Sequence, residues 1–159
     1  MYKLLLLLTL FFISNLYAEN KNINFDLIDD ESKQRIVFFH MNNCGYCNRM
    51  KKITLKDVKI QKTIQTNFTF ISINIDELDT IIFNNKTYTN RDFAHNLEVS
   101  FYPTVLFLDS ENEIVYKARG FRSTEKFQYI LNFMITKSFE EMSFFEYLEK
   151  TKKGKEDKE

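Results

Sequence analysis

The chain has 159 residues, and its 22 Lys plus Arg are matched by 22 Asp plus Glu. That length suits one domain with a modest core. The balanced charge, with no long basic run before the last residues, speaks against a nucleic-acid footprint. Seventeen Phe, no Trp and one Pro predict a core filled mainly by Phe rings. They leave the single proline either a specific role or none.

Lys3 followed by the apolar run Leu4 to Ile13, with Leu16-Tyr17-Ala18 behind it, reads as an export signal over residues 1–18, cleaved after Ala18. The run is too short to span a bilayer comfortably; the alternative is an uncleaved N-terminal anchor. Residue 19 is Glu rather than Cys, which speaks against a lipid anchor. No later segment is apolar enough to cross a membrane. The expected destination is the periplasm, with a folded domain over 19–149 and a charged, frayed tail over 150–159.

Glu19 to Ser32 is polar and mixed, a short strand or helix ahead of the core. Arg35 to Met41 (RIVFFHM) predicts a buried strand. Asn42 and Asn43 break it, and a helix follows from the cysteines to about Thr54, with Tyr46, Met50 and Ile53 on one face. Asp57 caps a second helix carrying Ile60 and Ile64 one turn apart. Phe68 to Ile75 reads as a central strand. Thr80 to Thr89 predicts a hairpin turning at Asn84-Asn85. Thr89 then caps a helix through about Leu97, with Asp92 near its positive end. Thr104 to Leu108 and Glu113 to Lys117 form a strand pair across a turn, and Gly120 marks a bend. Phe127, Ile130, Leu131 and Met134 give an amphipathic helix. Ser143 with Glu146 is a capping box for a last helix, docked by Phe144, Phe145 and Leu148. This order predicts a single mixed α/β layer fold, without repeats or an interdomain linker.

The chemistry centres on Cys44-Gly45-Tyr46-Cys47, where the first strong strand hands over to a helix. A disulfide gains little entropy by closing so small a loop, so chemistry explains the pair better than stapling. The unpaired N–H groups of a helix's first turn stabilise a thiolate and lower its pKa. Cys44 is therefore the expected exposed nucleophile, and Cys47, one turn further in, the buried resolving thiol. Pro103 precedes a strand. A cis bond there would turn the Tyr102 main chain towards the thiols, where an extended peptide can add as a strand; the alternative is an ordinary trans proline opening the strand.

RIVFFHMNNCGYC followed by a helix, then VSFYPTVLF and the Gly120 bend, resembles the thioredoxin fold: a central mixed sheet flanked by helices, here with an extra C-terminal helix. VSFYPTVLFLDSENEIVYKARGF, FQYILNFM and SFFEYL further resemble the exported SoxW-type thioredoxin-like family. The likeness runs from about Ile28 to Leu148. It implies that Cys44 attacks, Cys47 resolves and Pro103 is cis. Substrate would lie against Tyr102, Pro103, Gly45 and Tyr46, and the Cys44–Cys47 disulfide would be the redox group, with no further cofactor and no metal. It also implies a dithiol reductase of protein disulfides, such as those of apocytochrome c or sulfur-oxidation carrier proteins. A membrane thiol donor of the DsbD or CcdA type would keep it reduced.

Two departures stand out. Cytoplasmic thioredoxins carry a buried Asp six residues before the first Cys and a Gly-Pro dipeptide. Here Phe38 and Gly45-Tyr46 occupy those places, leaving proton handling to water, His40 or another group. The Gly-Tyr dipeptide is like that of the periplasmic disulfide isomerase DsbC. Only Glu19 to Gln34 precede the first strand, so no dimerisation domain is expected, and a monomer favours reduction over isomerisation. Tyr102 also replaces the Thr found before the cis-proline of that isomerase. His40 is either a cation tuning the thiolate or a strand-end residue, and His95 a solvated helix residue. Asp76, Glu77 and Asp79 read as a solvated loop rather than a calcium site. Zinc or copper on Cys44, Cys47, His40 and His95 lacks the paired ligand spacing of a structural site. Covalent haem is excluded because Asn48 follows Cys47. Competing functions are an isomerase or oxidant, or a metal or thiol chaperone without turnover.

Overall fold

Two small sheets share the strand-bearing core in a computed structural model that describes residues 22–27 and 33–156. The proposed signal over 1–18 lies outside the described residues. The larger sheet has the order β3-β2-β6-β7, with β2 at Gln34–His40, β3 at Phe68–Asn74, β6 at Thr104–Leu108 and β7 at Ile114–Arg119. β2 pairs parallel with β3 and antiparallel with β6, and β6 pairs antiparallel with β7. The sheet is therefore mixed. Ile36 through His40 are all buried, which accounts for a continuous apolar run rather than an alternating one. β3 lies at the edge of this sheet, not at its centre. Its half-exposed pattern, with Thr69, Phe70 and Ser72 reaching the surface, is that of an edge strand.

The smaller sheet has the order β1-β4-β5, formed by Asn22–Asn24, Thr80–Phe83 and Lys86–Thr89. Asn84 and Asn85 both hold positive φ (51° and 59°), the left-handed pair that a two-residue hairpin turn requires. Asp26, in the 3-10 turn Phe25–Leu27, accepts from both of their backbone N–H groups at 2.9 and 2.8 Å. β1 also pairs parallel with β4, so the short N-terminal segment is pinned twice to the hairpin.

Helices cover both faces of β2 and β6. α1 (Gly45–Arg49) runs on into a π-helical segment, Met50–Thr54. α2 is Val58–Asn67, α3 Asn90–Asn96, α4 Thr124–Ile135 and α5 Phe144–Glu156. Val37, Phe39, Leu106 and Leu108 face α3 and the small sheet through Phe25, Ile81, Phe83 and Phe93. Ile36, Phe38, Val105 and Phe107 face Met50, Ile60, Ile64, Phe127 and Leu131. Asp57, Thr89 and Ser123 cap α2, α3 and α4 through their side-chain oxygens, each satisfying N–H groups that the helix itself leaves unpaired.

Two further expectations are corrected. On the first helix the buried stripe is Cys47, Met50 and Thr54, whereas Tyr46 and Ile53 are exposed. At the C-terminus the capping box forms as expected, Glu146 accepting from Ser143 N and Oγ at 2.8 and 2.7 Å. The docking rings, however, are Phe144 and Tyr147, packed tilted and edge-on against Phe133 and Tyr116, and Phe145 points to solvent. The helix continues through Glu156.

Candidate redox site

The CxxC segment sits where β2 ends. Asn43 takes a positive φ of 55°, turning the chain so that Cys44 becomes the N-cap of α1. Cys44 is half-buried and Cys47 fully buried, and the two are joined as a disulfide. The Cys47 N–H donates to Cys44 Sγ at 3.1 Å. The leading sulfur thus takes the place of the capping oxygen usual at this position, among N–H groups that favour a negative charge. Gly45 and Tyr46 are exposed beside it, and a Cβ built on Gly45 would meet nothing.

Pro103 lies at the same end of the sheet. Thr104 pairs with Phe39, so Pro103 follows the register towards the end of β2 from which Cys44 departs. The Tyr102–Pro103 peptide bond is cis. The Pro103 carbonyl accepts from Gly120 N–H at 2.7 Å, and Gly120 itself needs a φ of 80°, a conformation glycine adopts without penalty. Phe121 then lies under the Arg49 guanidinium of α1, 4.4 Å from ring centroid to carbon, a favourable cation–π distance. Thr54 Oγ1 donates to the Arg122 carbonyl at 2.6 Å. The proline loop, the Gly120 loop and the cysteine helix are therefore fastened to one another. Tyr102 is half-buried, its hydroxyl donating to Val99 O at 3.2 Å. Phe101 and Tyr46 stand exposed, at 64% and 65%.

His40 is neither a cation nor a plain strand-end residue. Its Nδ1 lies 3.0 Å from Lys51 Nζ and its Nε2 3.1 Å from Ser72 Oγ. Burial, and then the Lys51 charge, lower its pKa to about 4, against a weaker upward pull from Glu77 and Asp76. A neutral ring at physiological pH cannot tune the thiolate by its own charge. Phe38, in the position expected to lack a carboxylate, is buried with its ring 5.2 Å from that of His40. His95 is exposed on α3. Asp76 accepts from Asn42 N–H at 2.9 Å and pairs with Arg91 at 2.6 Å, bracing the loop before the cysteines. Among the described residues no three His, Cys, Asp or Glu side chains converge as metal ligands do. Sequence reasoning missed Lys51, Phe121 and Thr54. Only Lys51 left a signal, its position one helical turn after Cys47.

The lowered His40 pKa gives a testable pH dependence. Its folded value lies below the ordinary 6.5, so the unfolded chain binds the proton more readily. This contribution is complete above pH 6.5 and is lost as pH falls towards 4, by up to roughly 3 kcal/mol. Urea unfolding of the wild type should weaken over that window more steeply than that of His40→Asn. Parallel pH profiles would contradict the assignment.

The fold and the cysteine pair together fit a thiol–disulfide oxidoreductase of the thioredoxin-like class. Residues 23–135 match the model of the thioredoxin-like domain family, and the chain belongs to that family. Its fold is similar to a thioredoxin-fold protein from Helicobacter pylori, with a TM-score of 0.65, 23% identity, and coverage of 87% of this chain and 88% of that one. It is also similar to a thioredoxin from Thermus thermophilus, with a TM-score of 0.54, 21% identity, and coverage of 71% and 85%. A search of curated proteins found no match.

Proposed function

We propose that the protein is an exported dithiol reductase of protein disulfides, working in the periplasm as a monomer, with Cys44 and Cys47 as its only redox group. The observation that carries this reading is the asymmetry of the pair: Cys44 is reachable at the helix mouth, and Cys47 is fully buried behind it. A partner sulfur can approach only the first. The lowered pKa expected of a thiol at a helix N-terminus makes it the nucleophile. The main chain at Tyr102 and Pro103 offers an extended peptide a strand-like partner, and the exposed Tyr46 and Phe101 rings suit apolar side chains on either side of the attacked disulfide.

Export rests on the apolar leader ending at Ala18; no helix among the described residues is long and apolar enough to cross a membrane. The SoxW-type resemblance adds the finer reading, namely substrates in cytochrome c maturation or sulfur oxidation and electrons from a membrane donor of the DsbD or CcdA type. Insulin reduction by dithiothreitol tests the core of the proposal. The wild type should accelerate precipitation of the insulin B chain, and Cys44→Ser should return it to the uncatalysed rate. Equal rates for the two proteins would sink the enzyme reading.

A further inference from the structure

The exchange as proposed does not use the buried polar cluster behind the cysteine helix. A lysine ammonium has only protons to offer, so His40 Nδ1, 3.0 Å from Lys51 Nζ, is the acceptor of that bond. The ring proton therefore sits on Nε2, where it donates to Ser72 Oγ at 3.1 Å. The hydrogen-bond network thus assigns a single neutral tautomer to His40, leaving its lone pair occupied. Lys51 follows Cys47 by four residues on a continuous helical path, the spacing that brings two side chains to one face. Lys51 is half-buried and Cys47 fully buried. The other charges around the cluster are Glu77 and Asp76, on the turn after β3, and Arg91 of α3, paired with Asp76.

We propose that Lys51, held on the Nδ1 of His40, is the charge that stabilises the Cys47 thiolate in the resolving step, with His40 as its positioning residue. This rests on the exchange reading above. In the first half of the reaction the Cys44 thiolate attacks one sulfur of the partner disulfide. That S–S bond breaks, and the departing partner sulfur takes a proton from solvent. In the second half the Cys47 thiol gives its proton to water, and its thiolate attacks Cys44 Sγ. The bond to the partner breaks, and the second partner sulfur leaves as a thiolate and is protonated. The partner gains two electrons and two protons, and the enzyme is left as the Cys44–Cys47 disulfide.

The difficult moment is ionisation of Cys47, because full burial disfavours the thiolate. Phe38 offers no base on that face of β2, and His40 has no free lone pair. A fixed cation one turn behind the sulfur meets the need differently: it lowers the cost of the charge without accepting the proton. Burial lowers the Lys51 pKa while Glu77 raises it, so Glu77 helps to keep this lysine charged.

The test follows Cys47 ionisation by the pH dependence of its 13Cβ chemical shift in a Cys44→Ser background. Lys51→Gln should raise the midpoint by about one pH unit. Lys51→Arg, which keeps the charge, should hold it near the parent value, and His40→Gln should shift it in the same direction as Lys51→Gln but less. Lys51→Met carries the test should the Gln variant fail to fold. An unchanged midpoint on removing the charge, or an Arg variant shifted as far as Gln, overturns the proposal. The titration needs no turnover. An inactive wild type whose Cys47 midpoint still responds to Lys51 would therefore indict the exchange reading, whereas normal insulin reduction with an unresponsive midpoint would indict Lys51.

Discussion

Cys47→Ser should turn the protein into a covalent trap for its partners. With Cys44 still at the N-cap of α1, half-buried and open to attack, the first exchange proceeds and leaves a mixed disulfide. Its normal fate is attack by Cys47, whose backbone N–H already touches Cys44 Sγ at 3.1 Å. Holding two reacting groups together in this way is worth effective concentrations far above those of free thiols, on the order of 10⁵ M or more in favourable cases. Without Cys47, resolution depends on solution thiols and should slow by at least about a thousandfold. Non-reducing gels of extracts from cells expressing each variant should then show adducts of Cys47→Ser that collapse on reduction, with none for Cys44→Ser. Adducts on Cys44→Ser alone would reverse the order of attack.

The disulfide pair and the cis proline were legible because their signals are local. Cys44 and Cys47 lie at a strand-to-helix junction that residues 35 to 54 announce by composition, and Pro103 is conspicuous as the single proline. The Asn84-Asn85 turn was legible for a similar reason, since two adjacent residues tolerant of positive φ stand between β-rich runs. The inward face of the helical stretch from Gly45 to Thr54 was not. Tyr46 and Ile53 fit an apolar stripe, but Thr54 turns inward instead because the Arg122 carbonyl satisfies its hydroxyl. A buried polar residue with a distant partner is invisible to periodicity. The place of β3 in its sheet failed likewise: FTFISIN says strand, and only pairing with distant segments decides centre or edge. The parallel pairing of Asn22–Asn24 with β4 and the bond between His40 and Lys51 are long-range in the same sense. In each case the sequence carries the residues but not the meeting.

Phe93→Ala should be the most destabilising of the single ring truncations on the small-sheet side. Phe93 has no exposure, and its ring centroid lies 5.2 Å from Phe83, 5.3 Å from Phe25, 5.7 Å from Tyr88 and 5.9 Å from Phe39. It therefore joins α3 to the N-terminal 3-10 turn, to both strands of the hairpin and to β2. Truncation removes four ring contacts at once and leaves a cavity whose walls belong to separate elements, each held by its own backbone pairing and slow to collapse inward. Deleting a buried Phe costs about 3–5 kcal/mol, which for a domain of this size lowers the melting temperature by on the order of 10 °C. Phe145→Ala removes a ring of the same size from a position that is 72% exposed and should change stability by no more than about 0.5 kcal/mol. Thermal unfolding followed by circular dichroism compares the two variants directly. Equal midpoints would mean that backbone pairing, not the Phe93 ring cluster, holds the small sheet against β2.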